Sequence, residues 1–162
     1  MVSALSPYKR NEVVVEAFNR MQRRLVVVGI GPDEERLQAL SGPTIEMRGQ
    51  IDATELRGLY QRCRGVVLAA VEDAGIVPIE AMACGRPPVV LARGGASEPI
   101  GDGVTGTLIR EQTPEAVIEA IDRAEATPFN IEEIRASALR YAPDRFLARF
   151  STFIRASLEN IH

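Results

Sequence analysis

The sequence predicts an α/β fold in which a parallel β-sheet carries helices on both faces. Short apolar or β-branched runs alternate along the chain with longer helical patterns, which is typical of βαβ units. The runs are mostly continuous in valine and leucine, as expected for strands that are buried on both faces. Since 162 residues correspond to about one average domain, we expect a single domain over residues 1–162 with a helical tail from about residue 128.

Five runs bounded by glycine or proline are the predicted strands. Four of them are compact apolar or mixed runs, and the fifth is shorter. The predicted strands are residues 25–28, 45–48, 65–70, 88–91 and 107–109.

Helical patterns separate these strands. Residues 12–21 place apolar side chains on one face, and acidic residues at 33–35 favour the start of a second helix because of its dipole. Further helices are predicted at 54–62, at 78–83 and at 113–125. The tail after Pro128 and Pro143 is predicted to be helical and to pack on the rest of the chain through Phe146, Leu147, Phe150, Phe153 and Ile154.

Composition excludes several classes of protein. A net charge of -3 and an isoelectric point near 5.3 give no basic field of the kind that nucleic-acid binders carry, so no nucleic-acid partner is expected. Cys63 and Cys84 are too far apart for a CxxC pair and the only histidine is His162, so no metal site is expected. Both cysteines are predicted to be small buried residues. The absence of a long apolar run or a signal peptide predicts a cytoplasmic protein.

Three glycine-bearing loops follow predicted strands, at residues 29–32, 71–75 and 92–98. Ligands of parallel α/β folds bind outside the carboxyl ends of the strands, where these loops lie. Glycine lets the backbone approach a ligand, and the free N–H groups at a following helix start bind anions. The central loop adds the carboxylates Glu72 and Glu80, which accept hydrogen bonds from hydroxyl groups. A sugar joined to a nucleoside diphosphate presents both an anion and hydroxyls.

Residues 72–87 carry a longer pattern. Glu72 and Glu80 have E-x7-E spacing, and the whole segment resembles the signature of glycosyltransferase family 4 (group 1). Four other regions follow in the family's order and spacing: residues 6–18, residues 28–32, Gly49, and residues 94–106 with their Gly-Gly and Gly-Val-Thr-Gly sequences. The resemblance therefore covers nearly the whole chain.

The resemblance implies the C-terminal, donor-binding domain of a GT-B enzyme, in which two Rossmann-like domains face each other. It implies a retaining reaction that needs no metal and no cofactor, with transfer of a hexose such as mannose or glucose from a GDP- or UDP-hexose to a glycan or glycolipid. The N-terminal acceptor domain would be absent, so the isolated chain should be inactive. The full-length enzyme would work in the cytoplasm, with a peripheral association at the inner face of the membrane as one option.

The resemblance also implies roles for particular residues. Lys9, the only lysine among 19 Lys and Arg residues, would contact the donor diphosphate, and Glu72 the hydroxyls of the transferred sugar, which makes these two the expected catalytic residues. Glu80 would bind the ribose. The other expected donor-binding residues are Gly75, Ile76 and Val77 through their amides, Arg48 and Gly49 near the base, and Gly29, Gly31 and Glu98.

Some residues depart from the family pattern. Ala4 stands where relatives usually carry an arginine on the diphosphate, and Ala74 replaces a common aromatic residue. Two other functions therefore stay open, namely a degenerate, non-catalytic nucleotide-binding or interaction domain and a GT-B nucleotide-sugar epimerase. Taken alone, Lys9 could be a solvated surface residue, and the segment from Gly94 to Glu98 could be a simple turn.

Overall fold

A computed structural model describes residues 1–159 of the chain, and residues 160–162, including His162, lie outside the described part. This part contains five strands and seven α-helices; helices separate β1 to β4, and three helices follow β5. The strands are β1 Leu25–Val27, β2 Ile45–Met47, β3 Val66–Leu68, β4 Pro88–Leu91 and β5 Thr107–Ile109. The helices are α1 Asn11–Met21, α2 Glu34–Leu40, α3 Ala53–Arg62, α4 Ile76–Ala83, α5 Pro114–Ala126, α6 Ile131–Leu139 and α7 Pro143–Glu159.

All strand pairs are parallel, and the five predicted strands are confirmed to within two residues at each end. The predicted single sheet is divided, because β1 pairs only with β2 while β3, β4 and β5 form a separate sheet in that order. Residues 1–5 run parallel to the end of β1. The Val28 amide donates to the Met1 carbonyl, the Ser3 amide to the Val28 carbonyl and the Leu5 amide to the Ile30 carbonyl.

Helices cover both faces of the strands, which confirms the predicted fold class. On one face Val67 and Val89 pack in a core with residues of α1 and α5. On the other face Leu68 and Val90 pack with Met82 of α4 and with α6. Adjacent strand residues therefore enter different cores, because successive side chains of a strand point to opposite faces.

The tail is helical as predicted, but only its first part packs on the domain. Ile134 and Ala138 of α6 are buried against α4, and Phe129 packs beside them. The prediction that α7 packs back is wrong, because its five large apolar residues are 40–65% exposed. Helical periodicity shows which face of a helix is apolar, whereas it does not show what covers that face. The exposed residues are Phe146, Leu147, Phe150, Phe153 and Ile154.

The remaining sequence predictions concern cysteines, metals and membranes. Cys63 and Cys84 are free and half-buried, and both pack beside Tyr60 and Ala81. Between residues 1 and 159, no cluster of three or more His, Cys, Asp or Glu side chains is placed to hold a metal ion. None of the helices in that range combines the length and the apolar character needed to cross a bilayer.

The buried amino group of Met1 predicts a pH-dependent stability. Its nitrogen donates to the Val26 carbonyl at 2.8 Å, and desolvation lowers its pKa from 8.0 to about 6. Between pH 6 and pH 8 the unfolded chain therefore binds more protons than the folded one, so stability is lost as the pH falls through this window. We expect the free energy of unfolding in urea to rise by about 2 kcal/mol from pH 6 to pH 8.

N-terminal acetylation provides the control for this expectation. The acetylated protein has no titratable amine, and its stability should be nearly constant over the same range. An equal slope in both proteins would assign the pH dependence to a different group.

Candidate functional site

Lys9 and Glu72 form a shielded ion pair at the carboxyl edge of the strands. Lys9 ends the short 3-10 helix Pro7–Lys9, and Arg10 follows in the left-handed conformation with φ 52°. The Lys9 Nζ donates to the Glu72 Oε2 and lies 4.9 Å from the centre of the Tyr8 ring. Since Lys9 is 9% exposed, the alternative of a solvated surface lysine is wrong. A cation so far removed from water needs a partner, which Glu72 supplies.

The loops after β3 and β4 hold Glu72 in place by their backbones. Glu72 forms an isolated parallel bridge with Gly94, and the Gly95 amide donates to the Glu72 carbonyl at 2.6 Å. A Cβ atom on Gly95 would lie 2.1 Å from the Asp73 carbonyl oxygen, so these loops can meet closely only with glycine here. The loop that begins at Gly94 therefore holds the backbone of Glu72 in position. The Glu98 side chain, in contrast, is exposed at the end of the 3-10 helix Gly95–Ser97.

The N-terminus of α4 follows Glu72 closely in the chain and packs against the same loop, since a Cβ on Gly75 would lie 3.0 Å from the Ala96 Cα. Gly75 is its N-cap and no side chain caps the helix, so the backbone N–H groups at its start have no side-chain acceptor. Pro78 occupies the third position, where it has no N–H to satisfy, and the Ile79 amide makes the bond to the Gly75 carbonyl. Gly75, Ile76 and Val77 thus lie where an anion could accept from the helix start. By comparison, side chains cap α3, α5 and α6, namely Asp52, Thr113 and Asn130.

Glu80 is held by a residue that the sequence did not indicate. The Tyr60 hydroxyl donates to the Glu80 Oε2 at 2.9 Å, although Glu80 itself is exposed. Tyr60 is 4% exposed, and burial followed by the charge of Glu80 raises the pKa of its phenol. Tyr60 therefore stays a neutral donor and fixes one carboxylate oxygen of Glu80. The contact joins α3 to α4 across 20 positions, so no local pattern could reveal it.

The glycines after β1 and β2 bring the backbone together. A Cβ on Gly29 would lie 1.8 Å from the Ser3 carbonyl oxygen, and one on Gly31 would lie 2.3 Å from that of Leu5. The Gly29 amide donates to the Gly49 carbonyl at 2.9 Å, which joins the ends of β1 and β2. Gly49 has φ +61°, and the space that its Cβ would enter is open.

Arg48 is already engaged by two carboxylates. Its guanidinium donates to the Glu46 Oε1, and to the Glu55 Oε1 at 2.9 Å. The ion pair with Glu46 raises the pKa of Arg48, while Arg48 and then Arg24 lower the pKa of Glu46. The described contacts do not join Arg48 or Glu98 to the Lys9–Glu72 pair. What the structure brings together is a shielded cation, a carboxylate beside it and a helix start, which suits a ligand that carries both an anion and hydroxyls.

Comparison with known proteins identifies what this arrangement resembles. Residues 1–145 match the protein family described as glycosyl transferases group 1. The chain is 29% identical over 164 residues to a GDP-mannose-dependent alpha-(1-6)-phosphatidylinositol monomannoside mannosyltransferase from Mycolicibacterium smegmatis. That alignment covers 90% of this chain and 43% of the mannosyltransferase.

Solved structures show the same fold. A glycosyltransferase from Rickettsia africae superposes with a TM-score of 0.84 at 21% identity, covering 99% of this chain and 47% of that protein. HepE from Anabaena, in complex with UDP and glucose, superposes with a TM-score of 0.73 at 23% identity, covering 98% of this chain and 47% of HepE. The chain thus spans about half the length of the proteins that it matches.

Proposed function

Because the chain belongs to the family of group 1 glycosyl transferases, we propose that it is the C-terminal, donor-binding half of a retaining GT-B enzyme. The observation that carries this proposal is the Lys9–Glu72 ion pair beside the start of α4, which no side chain caps. A nucleoside diphosphate sugar matches these groups, because its phosphates attract the cation and the amides while its sugar hydroxyls require an acceptor.

Each part of the donor has a proposed contact. The diphosphate accepts hydrogen bonds from Lys9 and from the amides of Gly75, Ile76 and Val77. Glu72 accepts from the hydroxyls of the transferred sugar, and Glu80, which Tyr60 orients, accepts from the ribose. The base lies near Gly49, where the backbone leaves open space. Glu72 pairs with Lys9 in the structure, and in this proposal the diphosphate becomes the partner of Lys9 when the donor binds.

The proposed chemistry follows from this placement. Transfer breaks the bond between the anomeric carbon and a diphosphate oxygen and forms a bond from that carbon to an acceptor hydroxyl oxygen, whose proton is released. Negative charge therefore develops on the leaving diphosphate. Lys9 and the start of α4 stabilise that charge more strongly in the transition state than in the bound donor, which lowers the barrier. In this proposal the reaction requires neither a metal ion nor a cofactor.

A hexose is the proposed transferred sugar. The mannosyltransferase relative uses GDP-mannose, and HepE was solved with UDP and glucose. We therefore propose GDP-mannose as the first donor to test and UDP-glucose as the second, with a glycan or glycolipid as the acceptor.

The proposed partner of this chain is the acceptor-binding half of the enzyme. The chain spans 43% of the mannosyltransferase, and α7 presents an apolar face that nothing covers among residues 1–159. An acceptor half would bury part of that face and complete the cleft. The isolated chain is accordingly expected to bind a donor without transferring its sugar.

Calorimetric titration of the chain with GDP, UDP and ADP tests the proposal. Saturable binding of at least one nucleotide is expected, and a preference among the three would identify the base. The absence of any heat of binding at millimolar concentrations would exclude a donor-binding half.

Ala4→Arg is expected to strengthen the binding of a nucleoside diphosphate. The backbone of Ala4 is anchored, because the buried Asn11 Nδ2 donates to its carbonyl at 2.9 Å, whereas the Ala4 side chain is exposed. A guanidinium added at this position would complete the cation pair of the family pattern. One charge-assisted hydrogen bond corresponds to about a tenfold gain in affinity or more. Ala4→Gln has a long neutral side chain and serves as the matched control. Equal affinities in the wild type and the arginine variant would show that an arginine at position 4 does not contact the diphosphate.

Tyr60→Phe is expected to weaken UDP or GDP binding by about three- to tenfold, because Glu80 loses the hydrogen bond that orients it. The affinity for inorganic pyrophosphate should not change, since that ligand has no ribose. Tyr141→Phe, at a tyrosine in the turn between α6 and α7, is the control. Equal losses for the nucleotide and for pyrophosphate would show that Tyr60 supports the fold and does not position Glu80.

A further inference from the structure

Lys9 is the side-chain cation of the proposed donor site, and it is already paired with Glu72. The start of α4 adds only partial positive charge through its N–H groups. Ala4 supplies no cation, whereas each phosphate of a nucleoside diphosphate carries a negative charge. A diphosphate that is shielded from water needs more positive charge than this, so another cation at the carboxyl edge of the strands would complete the site.

Among residues 1–159, two exposed arginines follow the carboxyl ends of strands without a described carboxylate partner, namely Arg93 after β4 and Arg110 after β5. Arg48, which follows β2, is engaged by Glu46 and Glu55. The other arginines without such a partner lie on α3, directly before β4, or on the tail from residue 140, and so not at the carboxyl ends of strands. A second cation for the donor is therefore Arg93 or Arg110.

Arg93 is the one of the two that lies beside Glu72. The bridge between Glu72 and Gly94 continues the register of β3 and β4, and Arg93 directly precedes Gly94. Its backbone is therefore about one strand spacing, or about 4.8 Å, from the chain that carries Glu72. Arg110 follows β5, which pairs with β4 and not with β3, so it is one strand farther away. Asp73 is exposed in the same loop as Glu72, but no described contact joins it to Arg93.

The loop that begins at Arg93 also contacts the start of α4. The Gly95 amide donates to the Glu72 carbonyl at 2.6 Å. A Cβ on Gly75, the N-cap of α4, would lie 3.0 Å from the Ala96 Cα and 3.5 Å from the Gly95 carbonyl oxygen. One short loop thus joins Arg93 to both of the groups to which the proposed function assigns the donor. Because Arg93 is exposed, its guanidinium is available to a ligand at this edge.

We propose that Arg93 is the second cation of the donor site and binds the diphosphate together with Lys9, in place of the arginine that relatives usually carry at the position of Ala4. This inference rests on the proposed donor-binding function. A guanidinium presents its N–H donors in a planar fork that matches pairs of phosphate oxygens. Arg93 supplies the positive charge that Lys9 cannot supply alone while Glu72 stays beside it. During transfer the same guanidinium stabilises the charge that develops on the leaving diphosphate.

Arg93→Gln is expected to weaken the binding of GDP or UDP by about tenfold or more in calorimetric titration of the chain, because a charge-assisted hydrogen bond to phosphate is lost. The affinity for inorganic pyrophosphate should fall by a similar factor, since the contact is to phosphate alone. Arg93→Lys should keep part of the affinity. Arg110→Gln is the matched control, because Arg110 is exposed at the same edge and also has no described carboxylate partner. It should change the affinity by less than about twofold.

A second substitution tests whether Arg93 replaces the missing arginine. Ala4→Arg should raise the affinity more in the Arg93→Gln variant than in the wild type, because one cation can then take the place of the other. Equal losses for Arg93→Gln and Arg110→Gln would overturn the proposal. If the unmodified chain binds GDP or UDP and Arg93→Gln binds it equally well, the role of Arg93 is wrong while the donor-binding function stands. Absence of binding by the unmodified chain would overturn both.

Discussion

Lys9→Met is expected to weaken the binding of a nucleoside diphosphate by about ten- to hundredfold. Methionine keeps the length of the side chain and removes the only lysine cation, which lies 9% exposed beside Glu72. The loss has two causes. A charge-assisted hydrogen bond to the phosphate is worth about 1.5–3 kcal/mol, and the Glu72 carboxylate would then face the diphosphate without a counter-charge. Calorimetric titration with GDP or UDP measures the effect.

Arg10→Met is the matched control for Lys9. Arg10 is the next residue and carries the same charge, but it is exposed and pairs with Glu12. Its replacement should change the affinity by less than about twofold, because exposed charges are screened. Similar losses for both variants would mean that the diphosphate responds to the general charge of the surface. Unchanged affinity in the Lys9 variant would remove Lys9 from the proposed site.

Gly29→Ala is expected to lower the free energy of unfolding by about 3–5 kcal/mol in the absence of any nucleotide. The added Cβ would lie 1.8 Å from the Ser3 carbonyl oxygen, which is backbone and cannot move aside without breaking the pairing of residues 1–5 with β1. The φ of Gly29 is also +142°, a conformation that side-chain-bearing residues rarely adopt. Urea denaturation measures the change, and a shift in the midpoint at constant slope would attribute it to stability.

Gly103→Ala separates the cost of the positive φ from the cost of the steric overlap with Ser3. Gly103 also has a positive φ, of 75°, but open space surrounds the position of its Cβ. Only the conformational cost of about 1–2 kcal/mol is therefore expected. Equal losses at Gly29 and Gly103 would show that the close approach to Ser3 contributes nothing. If Gly29→Ala does not fold, Gly31→Ala, with a Cβ 2.3 Å from the Leu5 carbonyl oxygen, tests the same contact.

Only part of the candidate site could be predicted from the sequence. The alternation of strand and helix patterns in the sequence predicted that Glu72 and the start of α4 lie at the carboxyl edge of the strands. Local periodicity indicates where a strand ends and a helix begins. It could not reveal that Lys9 and Glu72, 63 positions apart, form an ion pair, or that Tyr60 holds Glu80. The predicted roles of Arg48 and Glu98 stay predictions, and none of the described contacts joins either side chain to that pair.

The sequence by itself determined the order of strands and helices, the parallel fold class and the family, because these depend on local periodicity, on glycine and proline, and on the spacing of short motifs. The tertiary structure alone decided two further features: the partners of Lys9 and Glu80, and the exposed face of α7. Each of these depends on which distant segments meet. An apolar pattern requires that a surface be covered, and only the folded chain shows whether anything covers it.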